Sequence, residues 1–268
     1  MSRTLARAVR RAGVGLHRGE HAEVELRPAP WGGGRVFVLG GARVPSTLDR
    51  VIDTRLATTL AADGARVTLV EHLNAALYAA GVDHAEIHVH GAEIPVMDGS
   101  AAPWCAAIAA AGHAPCAAGA PAPLEVSETV RLGDSTAWIQ AEPGDGLHID
   151  VTVDYPHPAI GRQRWSGGLA DFETELAWAR TFGFLSDAEA LRASGLARGA
   201  SLENTLVYDH DGPMHPARAP DEVVRHKALD LIGDLALSPR PIVGKVTAYR
   251  AGHALHVALV SALARTAR

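Results

Sequence analysis

The stretch Val224-Arg225-His226-Lys227-Ala228-Leu229-Asp230-Leu231-Ile232-Gly233-Asp234 sets one imidazole and two carboxylates at i, i+4 and i+8. Apolar residues at helical spacing and the absence of Pro predict a helix, so all three project from one face. An imidazole and a carboxylate one turn apart can grip a single divalent cation. Upstream, Glu71-His72 joins a second imidazole to an adjacent carboxylate. His72, His226 and Asp230 then make three metal ligands, and Glu71 a general base. Three protein ligands and one open position suit a catalytic zinc rather than a structural one. Each motif alone is weak. His and Asp one turn apart commonly form a helix-cap neighbour or a solvated pair, and isolated matches are often accidental.

The elements that must position these residues can be read from periodicity. Alternation predicts strands over Arg3 to Gly15, Glu23 to Arg27, Arg35 to Leu39, Ala65 to Leu69 and Ala85 to Val89. Helices are predicted over Glu71 to Ala80, ended by Gly81, and Ala101 to Ala111, ended by Gly112. Trp31-Gly32-Gly33-Gly34 lacks the strand-loop-helix setting of a phosphate cradle and reads as a turn. The uncharged Pro/Ala/Gly stretch Ala114 to Pro123 is the best linker candidate.

After it the pattern restarts. Strands are predicted over Leu124 to Arg131, Thr136 to Ala141, Leu147 to Asp154 and Ile242 to Tyr249. Helices are predicted over Leu169 to Ala179, Ser186 to Ser194, Val223 to Ala236 and Ala254 to Ala264. Strands in runs with segregated helices indicate an α+β layer in each half. Two similar halves, residues 1–116 and 122–268, packed together would bring Glu71-His72 and His226-Asp230 to their junction, where ligand sites often lie.

Composition narrows the class. The 268 residues are 47% hydrophobic and 21% charged, as in an ordinary globular protein. A net charge of −5 offers no basic surface for nucleic acid. Cys105 and Cys116 lack CxxC spacing and make no disulfide framework, as expected of idle thiols in a reducing compartment. No apolar leader or membrane span is visible, and the expected location is cytoplasmic. His84, His88 and His90 alternate along one strand and are read as surface or packing residues. His113, His210 and His215 fall in loops and are expected to face solvent.

Longer motifs carry a resemblance. These are Thr68-Leu69-Val70-Glu71-His72-Leu73-Asn74-Ala75-Ala76-Leu77 and Glu93-Ile94-Pro95-Val96-Met97-Asp98-Gly99-Ser100-Ala101-Ala102-Pro103. To them add Gly13-Val14-Gly15-Leu16-His17, Arg180-Thr181-Phe182-Gly183-Phe184, the His226 segment and Gly252-His253-Ala254-Leu255. In this order, over nearly the whole chain, they resemble the UDP-3-O-acyl-N-acetylglucosamine deacetylases, zinc enzymes of lipid A synthesis.

The resemblance implies two similar two-layer α/β-sandwich domains with the active site at their junction. It implies one Zn2+ on His72, His226 and Asp230, with Fe2+ an alternative in the cell. It also implies Glu71 as base and Thr181 as the oxyanion-side hydroxyl, with Lys227, Asp234 and His253 around the scissile amide. Tyr155 stands where the family has an aromatic residue, usually Phe, on the uracil. Phe184 opens the stretch, to Ser201, that matches the acyl-passage insertion, where the match is loose. That stretch carries Leu185, Leu191 and Leu196 for an apolar wall. His253 is the expected acid for the leaving amine, held charged by Asp234. Lys227 and Arg250 are candidates for the diphosphate.

The expected partner is an acylated UDP-sugar, with no nucleic acid, no membrane span, at most loose contact with a membrane surface, and a monomeric state. Two alternatives stay open: a zinc hydrolase of another N-acylated nucleotide sugar, and a non-catalytic UDP-sugar-binding protein.

Overall fold

The computed structural model describes residues 1–266. Its architecture is α+β, with two main sheets, each covered on one face by helices. The first sheet runs in the order Val9–Val14, His21–Pro28, Ala85–His90, Arg35–Leu39, Ala42–Pro45. Neighbours are antiparallel except Arg35–Leu39 beside Ala85–His90. In Ala85–His90, Ala85, Ile87 and Val89 are buried while Glu86 and His88 are half-exposed, the period-2 signature of a one-sided sheet. Helices α1 (Glu71–Ala79) and α2 (Ala102–Ala111) complete this half's core around Leu73, Leu77, Ile87 and Trp104.

The second sheet repeats the scheme in the order Val130–Gly133, Trp138–Glu142, Ile242–Tyr249, Leu147–Asp154, Arg162–Gly168. It too has one parallel pair in its main path, Leu147–Asp154 beside Ile242–Tyr249. Between the sheets' helices lies an insertion. Phe182–Phe184 pairs in parallel with Leu206–Tyr208, and helix α3 (Leu185–Ala193) follows directly. Helices α4 (Glu222–Leu235) and α5 (His253–Thr266) cover the second sheet around Leu229, Ile232, Val246 and Leu259.

The two halves meet where α1 packs on α4. Gly233 makes that crossing close. A Cβ there would run into the Glu71 backbone carbonyl, carbon and Cα. Only a residue without a side chain lets the α1 backbone come this near, and this proximity brings His72 to the face of His226 and Asp230.

Several predicted elements differ. Arg3 to Gly15 is two strands, not one. Arg3–Leu5 pairs with His113–Pro115, and only Val9–Val14 joins the main sheet. Thus the start of the linker candidate is a paired strand, continued by Cys116 N–H to Ser2 O at 3.0 Å. Leu169 to Ala179 is not an α-helix. It is a 3-10 turn, Leu169–Asp171, followed by a π-turn, Phe172–Leu176. Burial of both Phe172 and Leu176 holds the wide turn, closed by Ala177 N–H on Phe172 O at 2.8 Å. Such turns recur where a functional site needs backbone outside a regular ladder.

Candidate metal centre

Helix α1 presents Glu71 and His72 in its first turn, and α4 presents His226 and Asp230 one turn apart. All four are buried, at 2–3% exposure. The ligand atoms of His72, His226 and Asp230 lie within 4.8 Å of one another. Nε2 of His72 and of His226 stand 3.6 and 3.5 Å from Asp230 Oδ1. These separations exceed a normal hydrogen bond. They approach the edge of a tetrahedron whose corners sit about 2.1 Å from its centre, roughly 3.4 Å. His226 Nδ1 donates to Ala179 O at 3.1 Å, which leaves the Nε2 lone pair facing the cluster. Chiefly through burial, the His226 imidazole is pushed down to about 4 and is neutral near pH 7, as a ligand must be. The donor set therefore fits a zinc ion.

The charges around it are strongly interdependent. Burial alone would raise the Asp230 carboxyl, but His226, Lys227 and His72 outweigh it and hold it well below the carboxylate range. Lys227 is largely buried, not solvated, and its Nζ donates to Asp230 Oδ2 at 2.7 Å. Burial works against its charge, yet Asp230 and Tyr155 leave it raised. Burial raises the Glu71 carboxyl. Thr58 N–H donates to Glu71 Oε2 at 3.0 Å, fixing one oxygen and leaving the other free.

Beside the cluster, Asp234 gathers three side chains. His253 Nδ1 lies 2.6 Å and His256 Nδ1 2.8 Å from its Oδ2, while Thr58 Oγ1 donates to Oδ1 at 2.6 Å. Burial opposes a charged His253, but Asp234 outweighs it and lifts the imidazole to about 9. Asp234 is itself held down to about 2, against burial, by the two imidazoles. The other ring nitrogen, His253 Nε2, points toward the ligand cluster, 4.0 Å from Asp230 Oδ2.

Three non-glycine residues in left-handed backbone precede these groups: Leu56 (φ 63°), Leu69 (φ 65°) and Arg250 (φ 51°). They stand just ahead of Thr58, Glu71 and His253. Each costs on the order of 1 kcal/mol, and such strain collects where geometry has been over-determined.

The cluster opens into a cleft of about 390 Å3 that also holds Tyr155, Thr181, Lys227 and His253. The rings of Tyr155, Phe182 and Phe184 meet there at 5.6–6.3 Å. A second, mainly apolar cavity of about 280 Å3 adjoins it. The two share Leu56, Thr181, Phe182, Gly183, Phe184 and Leu191. Leu185 lines the apolar cavity, whereas Leu196 faces a polar pocket beside Arg198 and Glu93. A larger cavity, about 560 Å3, lies away from the cluster beside Arg35, Tyr78 and Pro241.

Of the residues singled out from sequence, His72, His226, Asp230, Glu71, Thr181, Lys227, His253, Tyr155 and Phe184 share this cleft, with Asp234 directly behind His253. Arg250 does not line it and is exposed at the end of Ile242–Tyr249. His215 is not free in solvent, since its Nε2 accepts from Arg180 at 2.8 Å. Thr58 and His256 were missed. His256 follows His253 at i+3 on α5, a spacing that marks one helix face. Thr58 had no comparable signal. Cys105 and Cys116 are free, and burial pushes the Cys105 thiol up to about 12. Among the described residues no helix is long and apolar enough to cross a membrane.

Fold and site together define a two-layered α+β protein with a buried His/His/Asp cluster beside an apolar pocket. Residues 2–265 match the family of UDP-3-O-acyl N-acetylglycosamine deacetylases (LpxC). The chain is 45% identical to the UDP-3-O-acyl-N-acetylglucosamine deacetylase of Myxococcus xanthus, over 96% of this chain and 84% of that protein. It is 44% identical to the Thermosynechococcus vestitus protein of the same name, over 98% and 94%. For the Shewanella woodyi protein of that name the figures are 39%, 97% and 89%. The chain belongs to this deacetylase family.

Proposed function

We infer that this chain hydrolyses the N-acetyl group of UDP-3-O-acyl-N-acetylglucosamine, giving UDP-3-O-acyl-glucosamine and acetate, the committed step of lipid A biosynthesis. The observation that carries the inference is the adjacency of two features. A three-ligand cluster with its own buried carboxylate, Glu71, opens into a cleft that shares a wall with an apolar pocket. An amide and an acyl chain on one sugar need these two environments side by side.

His72, His226 and Asp230 would hold one zinc, or Fe2+ in its place. When bound, the ion supplies Lewis acidity, polarising the amide carbonyl and making water a better nucleophile near neutral pH. Glu71 takes a proton from the attacking water. Its raised carboxyl is a stronger base than an ordinary carboxylate, and a base closer to working pH is the more effective. The Thr181 hydroxyl donates to the oxyanion that develops on the carbonyl oxygen. The protonated His253 gives its Nε2 proton to the departing amine, while Asp234 fixes its Nδ1 and sustains its charge. Lys227 places an ammonium beside the same centre. Tyr155 stacks on the uracil, Phe184 opens the acyl passage, and Arg250, outside the cleft, meets the diphosphate.

We take residues 1–116 and 122–268 as the two domains, the second carrying the acyl-passage insertion. The protein acts as a cytoplasmic monomer, with at most loose contact at a membrane surface.

The test is acetate release from UDP-3-O-acyl-N-acetylglucosamine by purified protein, before and after chelation and zinc add-back, beside Glu71→Ala. Zinc-restored turnover that Glu71→Ala abolishes, with one metal still bound, supports the reading. A protein that holds one zinc and releases no acetate overturns the substrate.

A further inference from the structure

Glu222 is fully buried in the first turn of α4, one turn before His226. Four N–H donors converge on its carboxylate. Oε1 accepts from Arg180 N at 3.0 Å and Arg180 Nε at 2.8 Å. Oε2 accepts from Arg180 Nη2 at 3.1 Å and from Arg218 N at 2.5 Å. Arg180 is itself only 5% exposed, and its remaining donors reach His215 Nε2 at 2.8 Å and Pro216 O at 3.1 Å. Burial would raise the Glu222 carboxyl, but these bonds outweigh it and keep it charged.

Arg180 sits between two residues the site uses. Ala179, before it, offers the carbonyl that fixes His226 Nδ1. Thr181, after it, lines the cleft, and its N–H donates to Gly99 O at 2.7 Å. Clamping the Arg180 backbone N–H and guanidinium to α4 thus fixes the distance between the Ala179 carbonyl and the helix that carries His226. The π-turn over Phe172–Leu176 ends just short of this point, and Ala179 keeps from it a single turn bond, its N–H to Leu176 O at 2.9 Å. A buried ion pair is poorly suited as a stabiliser, because desolvation offsets its attraction. Its four-donor geometry is well suited to holding a backbone in register.

We propose that Glu222 is a positioning residue that, through Arg180, sets the His226 tautomer and ring orientation together with the placement of the Thr181 hydroxyl. The consequence for metal rests on the zinc reading above, while the tautomer does not.

The experiment compares Glu222→Gln with Phe37→Leu, a core substitution in the first half that lowers stability away from the site. Gln keeps the shape but turns a donor toward either Arg218 N and Arg180 Nη2 or Arg180 N and Nε. Imidazole nitrogen spectra of metal-free protein should show His226 as a single Nδ1–H tautomer in the wild type and in Phe37→Leu, and as a mixture in Glu222→Gln. Zinc affinity, read by chelator competition, should fall roughly 10- to 100-fold in Glu222→Gln alone, the range for loss of a ligand's supporting partner. If Glu222→Gln merely lowers Tm as Phe37→Leu does, with the His226 tautomer intact, the proposal is overturned. A wild type that binds no zinc would sink the zinc reading, and the tautomer comparison would still decide the role of Glu222.

Discussion

His253 Nδ1 lies 2.6 Å from Asp234 Oδ2, and both groups are almost wholly buried. The pair is an ion pair across neutral pH, since Asp234 sits at about 2 and His253 at about 9. The folded-state value of His253 is raised above its ordinary 6.5, so its contribution to stability is complete below pH 6.5 and is lost as pH rises through about 9. That of Asp234 is depressed from 3.8, so its contribution is present above pH 3.8 and is lost as pH falls through about 2. Asp234→Asn should flatten the decline of metal-free stability between pH 6.5 and 9, measured by urea unfolding across that window. A slope equal to wild type would show that Asp234 does not hold the proton. The same variant should lower kcat by roughly 100-fold or more, as removal of a working general acid does.

Thr181→Val tests the oxyanion donor. Loss of one such hydroxyl costs roughly 100- to 1000-fold in kcat and leaves KM little changed. Steady-state kinetics on the acylated UDP-sugar separate this from a binding role, in which KM would carry the loss.

Gly233→Ala tests the contact between helices. Its methyl would meet the Glu71 backbone, so α1 and α4 must part. Overpacking of this kind costs about 1–3 kcal/mol of stability. Zinc affinity should fall more than in a core variant of equal stability loss, because His72 moves away from Asp230. Chelator competition reads that difference.

Leu191 lines both the cleft and the adjoining apolar cavity. Leu191→Trp should fill the junction and shift preference toward shorter 3-O-acyl chains. In the wild type, each methylene removed from the buried part of the chain should cost about 0.8 kcal/mol, roughly fourfold in kcat/KM. A flat response to chain length would show that the apolar cavity does not hold the acyl group.

The His/His/Asp cluster was legible because the spacing within each of its two parts is local. His226 and Asp230 share a helix face, and Glu71 and His72 are neighbours. The supporting groups were harder to see. Thr58 reaches Asp234 Oδ1 only because the sheet holding Thr59–Ala62 delivers it there, and no periodicity encodes that meeting. Lys227 is assigned by resemblance alone, and the contact that buries its head, Nζ on Asp230 Oδ2 at 2.7 Å, comes from three residues along its own helix. The segment before Arg180 read as an α-helix because its apolar spacing of four fits both an α-turn and the wider π-turn it forms. Arg250 is assigned by resemblance alone: it lies outside the cleft at the exposed end of Ile242–Tyr249, where periodicity does not say which way a side chain faces.

His72 comes from early in the chain, whereas His226 and Asp230 come from its last quarter. During synthesis, then, Glu71 and His72 emerge long before the residues they meet in the fold. The three candidate ligands cannot meet until α4 has left the ribosome, and His253, the proposed acid, follows only with α5. A chain that stops before α4 therefore lacks two of the three candidate ligands and is expected to release no acetate.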